Sequence, residues 1–129
     1  MCHVLIIEDE VFVAMDLQSL LIEEGATSFA FAATEGEAIE QACARPPLVM
    51  TSDVRLSIGT GPAAVRVIRD RLGNIPVLFV SGTPDDCPAI DPGDSIFSKP
   101  FDRAGIAQAF RKILHDHEPA PNAVPPVRA

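Results

Sequence analysis

Apolar residues along this chain fall into two alternating patterns. Val4-Leu5-Ile6-Ile7 is a short, β-branched run that stops at Glu8-Asp9-Glu10, the mark of a strand covered on both faces that opens into a polar loop. From Val11 to Glu24 the period lengthens: Val13, Leu17, Leu20 and Leu21 form one helical stripe, and Gly25 stands where a helix stop is wanted. The alternation then repeats. Ser28 to Ala33 predicts a weak strand, Glu35 to Ala44 a helix, and Leu48 to Ser52 a buried strand that leads to Asp53. Gly59-Thr60-Gly61-Pro62 introduces a third helix with Val65, Ile68 and Leu72 on one face, and Gly73-Asn74 ends it. Pro76 to Val80 is a fourth strand and Ser95 to Ser98 a fifth. Pro100-Phe101-Asp102 starts the last helix, capped by Asp102, with Ile106, Phe110 and Ile113 at helical spacing.

Strands separated by helix-length segments indicate right-handed crossovers, hence an α/β fold with a doubly wound, five-stranded parallel sheet. Its binding crevice is expected at the carboxyl ends of the strands. Between Ser81 and Lys99, Pro84, Pro88 and Pro92 together with Gly82 and Gly93 leave little room for a helix. A fourth helix is therefore expected to be short or absent, replaced by a turn or mobile loop. Pro119, Pro121, Pro125 and Pro126 mark a disordered end, which divides the chain into one domain over 1–118 and a tail over 119–129.

Composition narrows the function classes. With 129 residues, 47% hydrophobic and 22% charged, the chain has room for one globular core. A net charge of -8 argues against a nucleic-acid partner, whose phosphates demand Lys and Arg. Cys2, Cys43 and Cys87 are odd in number and lack metal-ligand spacing, so neither a disulfide framework nor a zinc site is suggested. The apolar runs are too short for a membrane span and the N-terminus lacks a signal-like segment. A cytoplasmic location is expected.

On that fold, Glu8 and Asp9 follow the first strand, Asp53 ends the third, Ser81 the fourth and Lys99 the fifth. All five converge on one rim. Clustered carboxylates repel one another and call for a cation, and oxygen ligands of this kind suit Mg²⁺. Lys99 and the Ser81 hydroxyl complete a site for a phosphoryl group, with Asp53 as the central nucleophile able to form an acyl phosphate.

These residues, the acidic pair Glu8-Asp9, Asp53 after an apolar strand, Ser81-Gly82 after Val77 to Val80, and Lys99-Pro100-Phe101, resemble the receiver domains of bacterial response regulators over roughly Cys2 to Glu118. Each piece alone is weak, but the ordered set is specific. The resemblance implies the flavodoxin-like receiver fold, phosphorylation of Asp53 by a histidine kinase or histidine phosphotransfer protein, and a Lys99-Pro100 peptide bond that is cis. It also implies Mg²⁺ held by Asp9, Asp53 and the Arg55 carbonyl, with Glu8 acting through water. Asp53-Val54-Arg55-Leu56 with Gly59-Thr60-Gly61, and Phe79-Val80-Ser81-Gly82, look like an alphaproteobacterial single-domain subgroup with a Phe-Ala-Thr-Gly motif, although Val80 and Ser81 replace Ala and Thr. The chain departs from the wider family at Ile96, where many receivers carry a switch aromatic; strand alternation puts Phe97 on the opposite face. Output through the loop ordered by Ser81 is expected instead.

Simpler roles exist for single residues. Glu8 and Asp9 fit an acidic start to the first helix, Ser81-Gly82 fits a turn, and Arg66, Arg69 and Arg71 fit a solvated helix face. Phe12, Met15 and Ile22 lie off the main stripe of the first helix. They either pack against the last helix or form a docking patch for the donor, with Phe12 and Met15 as its centre. The chain reads as a phosphoacceptor rather than an enzyme, with Mg²⁺-dependent self-phosphorylation and autodephosphorylation as the chemistry such a site admits. The alternative is a pseudo-receiver that binds proteins without phosphorylation. A related phosphohydrolase would need an Asp where Arg55 stands, and a flavin site would need a hydroxyl-rich loop in place of Glu8-Asp9.

Overall fold

Apolar strands without polar alternation need cover on both faces, and two layers of helix supply it. The computed structural model describes residues 1–88 and 91–116. The expected tail over 119–129 and the domain's last two residues lie outside them. The elements are β1 (His3–Ile7), α1 (Val11–Glu23), β2 (Ser28–Ala32), α2 (Glu35–Ala44), β3 (Val49–Ser52), α3 (Gly61–Leu72), β4 (Val77–Ser81), β5 (Ser95–Ser98) and α4 (Arg103–Asp116). Between β4 and β5 the described residues form only one 3₁₀ turn, Pro84–Asp86. The short or missing helix is thus as the proline spacing predicts.

All five strands are parallel, in the order β2-β1-β3-β4-β5. The order reverses between β1 and β3, which opens the crevice where Glu8, Asp9 and Asp53 emerge. On one face Val4, Ile6, Leu78 and Val80 pack with Leu17, Leu20 and Leu21 of α1 and Ile106, Phe110 and Ile113 of α4. On the other, Leu5, Ile7, Met50 and Phe79 meet Ala38 and Ala42 of α2 and Val65 and Ile68 of α3. Each fully buried large side chain contributes about 1.5–3 kcal/mol. Ile96 joins the α2/α3 side and Phe97 the α1/α4 side, as strand alternation requires.

Two expectations for helix faces resolve differently. Phe12, Met15 and Ile22 are 86%, 56% and 53% exposed, so the last helix does not cover them and the packing role is excluded. Arg69 is not part of a solvated face. Its guanidinium donates to the Ile75 carbonyl at 2.9 and 3.1 Å and pairs with Asp94 at 2.8 Å and Asp91 at 3.0 Å. Asp94 folds back into the protein with only 3% of its side chain exposed, and a carboxylate so placed needs a cation.

Two glycines differ in what they permit. A Cβ on Gly61, the first residue of α3, would stand 1.8 Å from the Asp53 carbonyl oxygen and 2.1 Å from Ser52 Oγ. A Cβ on Gly36 would meet nothing within 4 Å. Urea unfolding should therefore show Gly61→Ala losing about 1–3 kcal/mol, as overpacking does, while Gly36→Ala is neutral or gains about 0.5–1 kcal/mol.

Candidate functional site

The parallel ladders run one residue past the strands and so fix the site. The Asp53 amide donates to the Ile7 carbonyl at 2.9 Å, Glu8 to Ala32 at 2.8 Å, and Lys99 to Ser81 at 2.9 Å. Side chains from the ends of β1, β3 and β5 are thereby aligned along one edge. The β3–α3 loop is tied down beside them: Ser52 Oγ donates to the Asp53 carbonyl at 2.8 Å, and the Gly61 amide to the Val54 carbonyl at 2.9 Å. Thr60 caps α3 by accepting from the Ala63 amide.

Lys99 is the hub of the crevice. Its ammonium lies 2.9 Å from Asp53 Oδ2, 2.9 Å from Glu8 Oε1 and 3.3 Å from Glu10 Oε1. Glu8 and Asp53 are buried, whereas Asp9 and Glu10 lie toward solvent. The other Asp53 oxygen accepts from the Val54 amide at 2.7 Å, and Glu8 Oε2 from the Glu10 amide at 3.1 Å. Burial pushes the Glu8 carboxyl up to about 7, helped by the Asp53 charge, against the lowering pull of Lys99 and the Glu10 amide. For Lys99, burial favours the neutral amine, but the bonds and charges of Asp53 and Glu8 outweigh it and hold the ammonium above its ordinary pKa.

Ligand oxygens of Glu8, Asp9, Glu10 and Asp53 all lie within 4.8 Å of one another. One ammonium cannot offset four carboxylates, and the donor set is all oxygen. It fits a hard divalent cation such as Mg²⁺. Glu8, Asp9 and Asp53 meet as their strand-end positions predict, and Glu10, the third member of the acidic run, joins them unpredicted. Arg55 follows Asp53 closely, its backbone bridged to Thr60, and its side chain turns away to Asp86. Ser81 is fully buried; its hydroxyl accepts from the Thr83 amide at 3.0 Å and lies 3.3 Å from Thr83 Oγ1. Phe12 and Met15 are exposed on the first turns of α1, which begins just after Glu10. Val11, Met15, Phe31 and Ala33 line a hollow of about 420 Å³ that reaches Glu8 and Asp9.

A doubly wound sheet with an acidic, lysine-bridged crevice defines a class, and comparison with known proteins supplies the family. Residues 4–111 match the response regulator receiver domain. The regulator PhyR of Methylorubrum extorquens is 30% identical over 118 residues, covering 87% of this chain and 43% of its own length. The solution structure of the Erythrobacter litoralis PhyR receiver domain superposes with a TM-score of 0.78 at 27% identity, covering 95% of this chain and 96% of that one. A mutant of the anti-anti-sigma factor PhyR from Bartonella quintana gives 0.76 at 26% identity, covering 89% and 49%. The chain thus spans less than half the length of the curated relative it matches. It belongs to the response regulator receiver domain family.

No helix among the described residues is long and apolar enough to cross a membrane. Removing the hub leaves Glu8 and Asp53 buried without a cation. Lys99→Met should therefore lose about 3–5 kcal/mol in urea unfolding without divalent metal, whereas Lys99→Arg should lose clearly less.

Proposed function

We propose that Asp53 accepts a phosphoryl group from a phosphohistidine on a kinase or phosphotransfer protein, in an Mg²⁺-dependent step, and that the protein signals or acts as a phosphate sink through protein contact. The observation that carries this reading is the Lys99 ammonium held 2.9 Å from Asp53 Oδ2 inside a crevice of four carboxylates. Phosphorylation of an aspartate is general to receiver domains, as is Mg²⁺ in an acidic pocket. Here Asp9 and Asp53, the Arg55 carbonyl, and Glu8 through water would hold the ion, with Glu10 beside them. When bound, it offsets the carboxylate repulsion and the charge on phosphoryl oxygens.

The transfer asks this chain mainly for position and charge. A carboxylate oxygen of Asp53 forms the new bond to phosphorus as the phosphorus–nitrogen bond of the donor breaks, and the imidazole leaves with the electron pair. Lys99 is close enough to follow the charge from the carboxylate to the phosphoryl oxygens. The Ser81 hydroxyl can keep accepting from Thr83 N–H while its own proton turns to a phosphoryl oxygen, since a hydroxyl both donates and accepts. The same carboxylate accepts from small phosphodonors and loses the group to water, so self-phosphorylation and autodephosphorylation belong to this reading without a separate enzymatic activity. A cytoplasmic setting fits the three free thiols.

Intact mass after incubation with Mg²⁺ and acetyl phosphate tests the acceptor. Wild type should gain one phosphoryl group and Asp53→Ala none. An equal adduct on both, or none on wild type with a donor of proven reactivity, would reject the assignment and favour phosphorylation-independent binding.

The exposed α1 residues give this reading a docking surface. Phe12 and Met15 project from the helix that begins beside Asp9, where an apolar partner helix can cover them. Phe12→Glu or Met15→Glu should slow transfer from a phosphohistidine protein by roughly tenfold or more, the scale of an interface hot spot, and leave acetyl phosphate labelling unchanged. Equal loss in both assays would remove the docking role.

A further inference from the structure

Two loops flank Asp53 on the side away from α1, and one ion pair joins them. Arg55, two residues after the acceptor, places Nη2 at 2.6 Å and Nε at 2.8 Å from the same oxygen, Asp86 Oδ2. Asp86 closes the 3₁₀ turn, where its amide donates to the Thr83 carbonyl at 3.0 Å and the Cys87 amide to Pro84 at 3.1 Å. Thr83 is itself held by Ser81, through its amide at 3.0 Å. Ser81 returns to the sheet beside β3, since Ser52 pairs with Phe79 in the β3–β4 ladder. The bonds form a closed ring from Asp53 through Arg55, Asp86, Thr83 and Ser81 back to the strand ends. The turn lies against β5.

We propose that the Arg55–Asp86 ion pair couples the state of Asp53 to the turn and to β5, with Asp86 as the positioning residue. This rests on Asp53 being the phosphoacceptor. A phosphoryl group on Asp53 brings new negative charge close to the Arg55 backbone and draws the Ser81 proton. Both anchors of the ring are then pulled from the same side. With the ion pair made, the turn between them must follow. With it broken, Ser81 reorients while the far end of the turn stays behind. Ile96 stands on β5 where an aromatic side chain would offer another path, and it is packed into the α2/α3-side core.

The test is amide NMR with Mg²⁺ and beryllofluoride, a phosphoryl mimic, on wild type, Asp86→Asn, Asp86→Glu and Arg55→Gln. In wild type the mimic should shift Asp53 and Val54 at the site, and Asp85, Asp86 and Cys87 at the turn. Asp86→Asn should keep the site shifts but lose at least half of those at Asp85 and Cys87. Asp86→Glu should restore them, and Arg55→Gln combined with Asp86→Asn should add nothing beyond either single change. In Asp86→Asn and Asp86→Glu, acetyl phosphate labelling should change by a factor of about five or less, the range open to an exposed ion pair. Turn shifts that survive undiminished in Asp86→Asn would overturn the coupling. A wild type whose Asp53 and Val54 amides ignore the mimic would overturn the acceptor reading instead, and the coupling with it.

Discussion

The contact between the Lys99 ammonium and the carboxylates of Glu8 and Asp53 is the constraint on which the crevice depends. Glu8 and Asp53 expose only 1% and 8% of their side chains, and Lys99 14%. Charges this far from water are tolerated only when paired. The pairing ties the ends of β1, β3 and β5 together, and so requires their ladders to finish level. It is also incomplete, because Asp9 and Glu10 add negative charge that one ammonium does not cancel. Burial, helped by the Asp53 charge, raises the Glu8 pKa, while Lys99 stays firmly protonated. A site arranged in this way is poised for more positive charge and for an anionic group that can share Lys99.

Rigidity comes from the opposite kind of interaction. The central strands are covered by apolar helices on both faces, and the carboxyl edge inherits their fixed positions. Gly61 carries that precision into the loop, since its lack of a side chain lets α3 begin against the Asp53 carbonyl. The Asp53 backbone is therefore held from both directions, by the Ile7 carbonyl on one side and by Ser52 and the start of α3 on the other.

Much of this was legible in the sequence because it rests on local period and strand ends. Val4 to Ile7 and Val77 to Val80 read as buried strands from their apolar runs, and the position of each polar residue just beyond a strand placed Glu8, Asp9, Asp53, Ser81 and Lys99 on one rim. The proline spacing after Ser81 likewise predicted a turn where a helix might have stood. What escaped depends on contacts between distant segments. Arg69 looked like a surface residue because nothing in helical spacing reveals that Asp94, 25 residues away, folds back onto it. Arg55 and Asp86, 31 residues apart, had no local signature. Glu10 was passed over because an acidic residue at a helix start needs no special partner, and only the reach of Lys99 gives it one.

The two halves of the site therefore differ in the forces that hold them. The Asp53 side is set by buried ladders, a close-packed glycine and charges sheltered from water, all costly to disturb. The side of the turn is set by short polar bonds and by an ion pair whose partners are 71% and 42% exposed. Such a pair is worth about 0.2–1 kcal/mol, against several for the buried contacts of Lys99. A new charge at Asp53 thus meets a rigid wall on one side and a weakly held segment on the other. On the proposed coupling the rearrangement follows the weaker constraint, into the turn beside β5, and leaves the Asp53 backbone in place.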